Sequence, residues 1–423
     1  KLGDRIGLKK VFISGYAFFV LGSLLCGFSP SIRWLVASRL IQGLGGAMLI
    51  STAFAIIANH VPEKMSGAAL GIVSTASALG VSVGAPLGGF ITGFISWHWI
   101  FLVNVPVGLV AIYITIRVLP STPKAEKNRA ARKQPGFDVQ GALLTFVSLT
   151  LLVYALSMGR EMGWASPIIL ASLAGFAVLL ALLVQWEKKH SDPLLDVRLL
   201  KNPDFAFAAL SGFFCFLFMA GNSFLQPFFL ELVKGLHPAS AGLLLMIMAV
   251  TVTLIAPHAG RLSDKIPPSI ICSVAMALAA AACLVFALTL QEPGYWSTIF
   301  YLVLAGIALG LFISPNTHLV MMMAPAGKQG LASGTFQTLT SVSLAVGVCL
   351  FETVFSDQFP KGMNLSSHLI DREILMTGFH NAYIFGVLIC LMAFLFSAAH
   401  WRRALKSKED PKKIAPLHFP MPG

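Results

Sequence analysis

The chain is 423 residues long, 56% hydrophobic and only 11% charged, with a net charge of +12, whereas an ordinary soluble domain is about a quarter charged. Together with a mean hydropathy of +0.80, this excludes a soluble globular domain and predicts an integral membrane protein. Whether the basic excess points to nucleic acid depends on where the charge lies.

Twelve apolar spans follow one another along the chain. They are Val11 to Phe28, Trp34 to Ala58, Ala68 to Phe94, Trp99 to Leu119, Val139 to Met158, Pro167 to Trp186, Phe205 to Leu230, Ala239 to Pro257, Ser269 to Leu290, Thr298 to Met321, Leu331 to Phe355 and Ala382 to His400. Each run is continuous instead of alternating, which predicts transmembrane helices and not barrel strands. The segments Ser121 to Asp138 and Glu187 to Asp204 are too polar to be buried on this reading. The charged opening at Lys1, with neither methionine nor signal peptide, reads as the continuation of a longer natural N-terminus.

Gly71 to Gly93 has no charge and little bulk. Gly71, Thr75, Ala78, Ser82, Ala85, Gly89 and Gly93 share one helical face, with Ser77, Gly80, Gly84 and Gly88 as the neighbouring stripe. So smooth a span predicts backbone-close contact with another helix, either a tight structural crossing or a sliding, gating one. Gly80, Ser82 and Gly84 also match the G-x-S-x-G elbow of serine hydrolases, but that elbow needs a strand before it, and here the serine sits mid-span.

The six cysteines (Cys26, Cys215, Cys272, Cys283, Cys349 and Cys390) are scattered through apolar runs without a C-x-x-C pair. They read as small buried residues, not as a disulfide frame or a metal site.

With Lys1 on the cytoplasmic side, one set of loops and the tail carries 24 Lys and Arg and the other set five, namely Arg33, Arg160, Lys234, Lys361 and Arg372. This asymmetry predicts both ends of the chain in the cytoplasm and accounts for the net charge without nucleic acid. The tail cluster from Arg402 to Lys413 reads first as a solvated stop-transfer flank, and can also meet anionic lipid. Asn364-Leu365-Ser366 is a glycosylation sequon in an outer loop, read as chance.

Two short loops on the same membrane face resemble each other: Leu2-Gly3-Asp4-Arg5-Ile6-Gly7-Leu8-Lys9-Lys10, and Gly260-Arg261-Leu262-Ser263-Asp264-Lys265. Such loops bridge helix ends, with carboxylates favoured at helix N-termini and cations at C-termini, and their repetition suggests a parallel internal repeat.

These features resemble the major facilitator superfamily and, more narrowly, the fourteen-span drug:proton antiporters of bacterial multidrug efflux. The opening LGDRIGLKK is similar to the superfamily's loop between helices two and three, and Arg39-Leu40-Ile41-Gln42-Gly43-Leu44-Gly45-Gly46-Ala47 to its fourth-helix signature. Gly80 to Gly89 resembles the fifth-helix antiporter signature, with Gly80, Gly84, Pro86, Gly88 and Gly89 as its residues. Ser96 to Gly108 resembles a segment of the fourteen-span branch. In one respect the chain departs from the pattern: Pro86 stands one place late, which rotates its effect on the helix by about 100°.

The resemblance implies an all-α two-bundle fold with family helices three to fourteen present and the first two missing. It divides the chain into a partial four-helix N-terminal bundle (1–119), a central linker with two extra spans (120–204), a six-helix C-terminal bundle (205–400) and a basic cytoplasmic tail (401–423).

Within the spans, Arg39 is the outstanding residue, since a cation at that depth faces water or partners, or else snorkels. Always charged, it cannot carry the proton and would instead tune a carboxylate. Glu352 is the candidate carboxylate, read either as part of a pathway or as an interfacial glutamate. Arg39, Gln42 and Glu352 are thus the transport and coupling candidates, with Asp4, Arg5, Asp264 and Lys265 in the conformational loops. Asn222, Gln226, Asn316 and Gln337 could line a polar cavity or make interhelical hydrogen bonds. Trp97, His98 and Trp99 fit an aromatic belt.

No G-x-x-x-x-G-K-[ST] and no H-E-x-x-H occurs, which disfavours ATP-driven pumping within this chain and zinc protease chemistry. The expectation is a secondary transporter and not an enzyme, in the cytoplasmic (inner) membrane, exporting hydrophobic or cationic drugs by alternating access. It would need no cofactor, taking energy from the proton gradient, and would bind a small-molecule substrate and lipid but no nucleic acid. In a Gram-negative bacterium it would also have a membrane-fusion adaptor as partner. The alternatives are an importer or exporter of one specific metabolite, or a membrane receptor or enzyme.

Overall fold

A computed structural model describes residues 7–60, 80, 84, 87–120, 138–189, 199–263, 265–323, 329–359 and 372–409. In chain order the α-helices are α1 (Leu8–Gly27), α2 (Ile32–His60), α3 (His98–Leu102), α4 (Asn104–Val118), α5 (Val139–Met162), α6 (Pro167–Lys189), α7 (Pro203–Phe228), α8 (Pro238–Ser263), α9 (Pro268–Thr289), α10 (Trp296–Met322), α11 (Gln329–Ser356) and α12 (Arg372–Glu409). A π-helical turn, Phe229–Val233, extends α7, and residues 87–94 are helical as well. No strand occurs among the described residues. Ten helical stretches among them are long and apolar enough to cross a bilayer; of the twelve predicted spans, Trp34 to Ala58 is helical as part of α2 without being one of the ten, and Ala68 to Phe94 lies largely outside the described residues. Asp4, Arg5, Pro86, Asp264 and most of Gly71 to Gly93 lie outside the described residues.

Local chemistry explains where the helices depart from the predicted spans. The span Trp99 to Leu119 is divided between α3 and α4 at Val103. Pro106 has no N–H to offer the carbonyl of Leu102 four residues back, so the helical ladder is interrupted there. The two pieces still make one apolar crossing, His98–Val118. α12 extends beyond the predicted Ala382 to His400 at both ends; its C-terminal flank, Trp401 to Glu409, is rich in Arg, Lys, Glu and Ala, and its N-terminal flank holds Arg372, Glu373, Leu375 and Met376. These residues favour helix, although hydropathy does not register them.

The segments flanking α5 and α6 differ from expectation. Asp138 and Glu187, assigned to stretches too polar for burial, are only 2% and 3% exposed. Asp138 is the N-cap of α5: its Oδ1 accepts from the backbone N–H of Gly141 at 2.8 Å and from the indole N–H of Trp186 at 3.0 Å. A carboxylate at a helix N-terminus meets free donors and the positive end of the helix dipole, which offsets its desolvation. Gly163, at φ 86°, ends α5 and turns the chain toward α6.

The chain divides into two compact units, Lys1–Phe137 with Leu236–Met246, and Asp138–Gly235 with Ile247–Gly423. In the first, α1 lies along α2 and also against α3 and α4. The α1–α2 crossing is backbone-close because glycines stand at it. A Cβ on Gly22 would lie 2.6 Å from Gln42 Cα, and one on Gly45 would lie 2.7 Å from the Gly15 carbonyl oxygen. Lys9 closes the unit at one end, its Nζ donating to the carbonyls of Ile116 and Leu119 at 2.8 and 2.6 Å. The last carbonyls of a helix lack partners, and a cation there also meets the negative end of the dipole.

In the second unit, α9 packs on α10 and α12, α7 on α11 and α12, and α5 on both α6 and α11. Its core is aromatic, with Phe205, Phe218, Phe229, Phe286, Tyr301, Phe312, Phe351, Phe355, Phe379 and Tyr383 essentially buried. Lipid competes with such packing on equal hydrophobic terms, so close fit and interhelical hydrogen bonds specify it. Ser211 Oγ donates to the Ala393 carbonyl and Ser397 Oγ to the Ser269 carbonyl, both at 2.9 Å. Leu254, Leu288, Leu388 and Leu395 project outward at more than half exposure, as bilayer-facing residues do.

Candidate functional site

Arg39 stands two turns into α2, and its Nη1 donates to Gln42 Oε1 at 2.7 Å. Gln42 is 4% exposed and passes the chain onward, its Nε2 donating to Ser23 Oγ of α1 at 2.7 Å. Spacing of three on a helix puts Arg39 and Gln42 on one face; the glycine-lined crossing brings Ser23 within reach. The guanidinium also lies 5.2 Å from the ring centroid of Phe101 in α3, a cation–π distance. Arg39 itself is exposed and has no carboxylate partner among the described residues. The result is a fixed positive charge, oriented by an amide, a hydroxyl and an aromatic face, in an otherwise apolar segment. The sequence indicates Arg39 and Gln42; Ser23 and Phe101 come from other helices and carry no motif of their own.

Of the small-residue helix, the described part separates the two stripes. Gly89 and Gly93 meet the start of α8 directly: a Cβ on Gly89 would collide with the Pro238 carbonyl and one on Gly93 with the His237 ring. Around Gly80, Gly84 and Gly88 there is open space. The close contact therefore falls on the face of Gly89 and Gly93. Phe94 completes it, 5.5 Å from the His237 ring.

Asn222 and Gln226, one turn apart on α7, are fully buried and engage two tyrosines. Tyr301 donates to Asn222 Oδ1 at 2.5 Å, and Gln226 Nε2 donates to Tyr383 Oη at 2.7 Å. Phe286 stacks on Tyr301 at 4.4 Å and meets Tyr383 edge-on at 4.8 Å. These two amides belong to a buried interhelical hydrogen-bond network. Asn316 is 1% exposed, and neither of its amide atoms has a hydrogen-bond partner among the described residues. It faces Gly212, where a Cβ would lie 2.7 Å from Nδ2. Gln337 is exposed on α11, away from this network.

Glu352, half-buried in the last turns of α11, bonds to Ser356 and lies within electrostatic reach of Arg160 and Glu161 of α5. The guanidinium of Arg160 donates to the carbonyl of Phe359, just beyond α11. Sequence reasoning places Arg160 in a loop and does not connect it with Glu352, because only the packing of α5 on α11 brings them together. Lys265 is exposed after α8. Near it, Ser263 Oγ lies 3.1 Å from His318 Nδ1 and donates to the Gly260 carbonyl at 2.6 Å.

A cavity of about 930 Å³ opens between the end of α9 and the start of α12, lined by Ala287, Leu290, Arg372, Met376, Thr377 and His380 among others. No sequence-selected site residue lines it. At the same end of the unit, Lys234 Nζ donates to the Glu292 carbonyl at 2.8 Å. Partial burial and the Arg372 charge push its ammonium pKa down, against an upward pull from Glu292.

Continuous apolar helices, hydroxyl-to-carbonyl bonds between them and a small number of oriented intramembrane polar groups define a multi-pass helical membrane protein as the class of this molecule. Residues 1–348 match the model of the Major Facilitator Superfamily, and the chain belongs to that family. The riboflavin transporter RibZ of Clostridioides difficile is 29% identical over 96% of this chain and 86% of its own length. Multidrug resistance protein Stp of Mycobacterium tuberculosis is 29% identical over 84% of this chain and 65% of its own length. A POT family transporter solved with a thioalcohol-conjugated peptide superposes at a TM-score of 0.65, covering 96% of this chain and 83% of that one. At 14% identity that likeness concerns the fold.

Proposed function

We propose that the protein is a proton-coupled exporter of hydrophobic or cationic small molecules, of the kind that confers drug resistance, working by alternating access in the bacterial inner membrane. The observation that carries this reading is the Arg39–Gln42–Ser23 chain, a permanent cation held in place within a span. Such a charge is too costly to retain in hydrocarbon without a function. The similarity to Stp supports the drug-like substrate class. In this proposal Arg39 favours the ionised form of a carboxylate during part of the cycle, and Glu352 is the carboxylate that binds and releases the proton. The face of Gly89 and Gly93 is the moving contact, and the loops of Asp4, Arg5, Asp264 and Lys265 govern the conformational change. Both ends lie in the cytoplasm, consistent with the division of Lys and Arg, and a membrane-fusion adaptor would join the protein in a Gram-negative host.

A second reading, transport of one specific metabolite, is favoured by the near full-length similarity to RibZ. One experiment separates the two. Full-length protein in proteoliposomes should extrude a cationic dye when a proton gradient is imposed and stop when a protonophore collapses it. Dye retention alongside riboflavin movement would establish the metabolite reading instead.

A further inference from the structure

Within the second unit, α5 is packed on α11 through polar contacts that converge on one place. Thr353 Oγ1 of α11 donates to the Leu156 carbonyl of α5 at 3.3 Å, and Ser157 Oγ of α5 lies 3.4 Å from Cys349 Sγ of α11. One turn further along α5, the Arg160 guanidinium donates to the carbonyl of Phe359. All three contacts surround the turn of α11 that carries Glu352. Held on the Phe359 carbonyl just beyond α11, the Arg160 guanidinium lies within electrostatic reach of Glu352 through the packing of α5.

We propose that Arg160 is a positioning residue for the proton-binding step: α5 places a fixed cation beside Glu352 and thereby sets the pH at which Glu352 takes up its proton. The inference rests on the reading of Glu352 as the proton-binding carboxylate, and it makes the central helix pair part of the coupling machinery, not a linker.

The other elements packed on α11 leave this assignment to α5. α7 has Asp204 at its opposite end, and the π-helical turn that extends it carries Glu231, packed on α7 and α12. α10 contributes His318, in the half that passes Ser263. α12 brings Arg372, Glu373 and His380 in its first turns, where Arg372, Glu373 and His380 line the cavity against α9. From α5, Glu161 opposes Arg160 as a like charge toward Glu352, and on α11 itself Ser356 is the polar neighbour. A cation beside a carboxylate favours the ionised form, and a second carboxylate disfavours it. Arg160 and Glu161 therefore act in opposite directions on one group.

The test measures Glu352 directly. A hydrophobic carbodiimide reacts with protonated carboxyl groups, so modification of the peptide containing Glu352, followed by mass spectrometry across pH in the full-length protein in nanodiscs, gives a midpoint. Arg160→Gln keeps a donor for the Phe359 carbonyl and removes the charge; its midpoint should move up by about one pH unit. Arg160→Lys should keep the midpoint of the parent, and Glu161→Gln should move it down. An unmoved midpoint in Arg160→Gln, or an unmoved one in Glu161→Gln should the first variant fail to assemble, overturns the proposal. If the midpoints move as expected while dye efflux by the parent protein ignores a protonophore, the charge coupling stands and the proton-driven reading of transport falls.

Discussion

The two intramembrane polar clusters solve the same problem in opposite ways. Around Arg39 the polar group is a permanent charge, exposed, with one amide, one hydroxyl and one ring to orient it. Around Asn222 and Gln226 every polar group is neutral, and phenylalanine and tyrosine rings shut it off. The cost of a lone charge in hydrocarbon is several times that of a hydrogen-bonded amide. The first arrangement is the one the proposed coupling role would need, and the second suits helices held in one register. Position in a span does not distinguish the two; the chemistry of the neighbours does.

The sharpest way to break this comparison is Arg39→Ala. Transport should fall to background while membrane insertion stays intact, since removing an intramembrane cation makes insertion cheaper. Arg39→Lys should fail as well if the planar fork is what meets Gln42 and Phe101. Proteoliposome efflux and membrane yield measured together decide it, and normal efflux by the alanine variant would make Arg39 a structural residue like Asn222.

Next in size is the close face of the small-residue helix. Gly89→Leu should abolish transport or make it leak protons, because even a Cβ there meets the Pro238 backbone. Gly84→Leu enters open space and should retain most of the parent's rate. Equal efflux from both variants would remove the distinction between the stripes.

A smaller effect is expected in the sealed network. Tyr301→Phe leaves Asn222 Oδ1 without its donor, at a cost of about 1–3 kcal/mol for an unsatisfied buried acceptor. The melting temperature in detergent should drop while the efflux rate per folded molecule is kept. A lost rate at unchanged stability would move this network from scaffold to pathway.

The smallest effect belongs to the Lys9 cap. Lys9→Met should destabilise by about 0.3–1 kcal/mol, read as a slight fall in melting temperature.

Much of the fold was legible because hydropathy is a one-body property: each residue's cost in lipid depends on itself, so runs of apolar residues mark helices whatever surrounds them. Arg39 and Gln42 were legible for the same reason, an arginine in a span and a partner three residues on. What escaped depends on pairs. Ser23 meets Gln42 because Gly22 admits the α2 backbone, Phe101 reaches Arg39 from another helix, and the charge of Arg160 acts on Glu352 across almost two hundred residues of sequence. Burial of Asp138 escaped because composition assigns a carboxylate to water, whereas a helix N-terminus and an indole N–H can replace water. The loop repeat signalled its basic character, and Lys9 shows one physical use of it at the end of α4.

The six thiols have a practical corollary. All are free and buried, Cys26 behind the α1–α2 crossing and the others in the second unit, so a bulky, membrane-impermeant maleimide has no native target on the folded protein. Single cysteines can then be introduced without first stripping the parent of its own. One introduced at Lys408 should be silent in intact cells and one at Lys361 should label, if the 24 to five division of basic residues orients the chain as proposed. Spin labels or fluorophores at chosen helix ends would likewise report distances during turnover against a dark background.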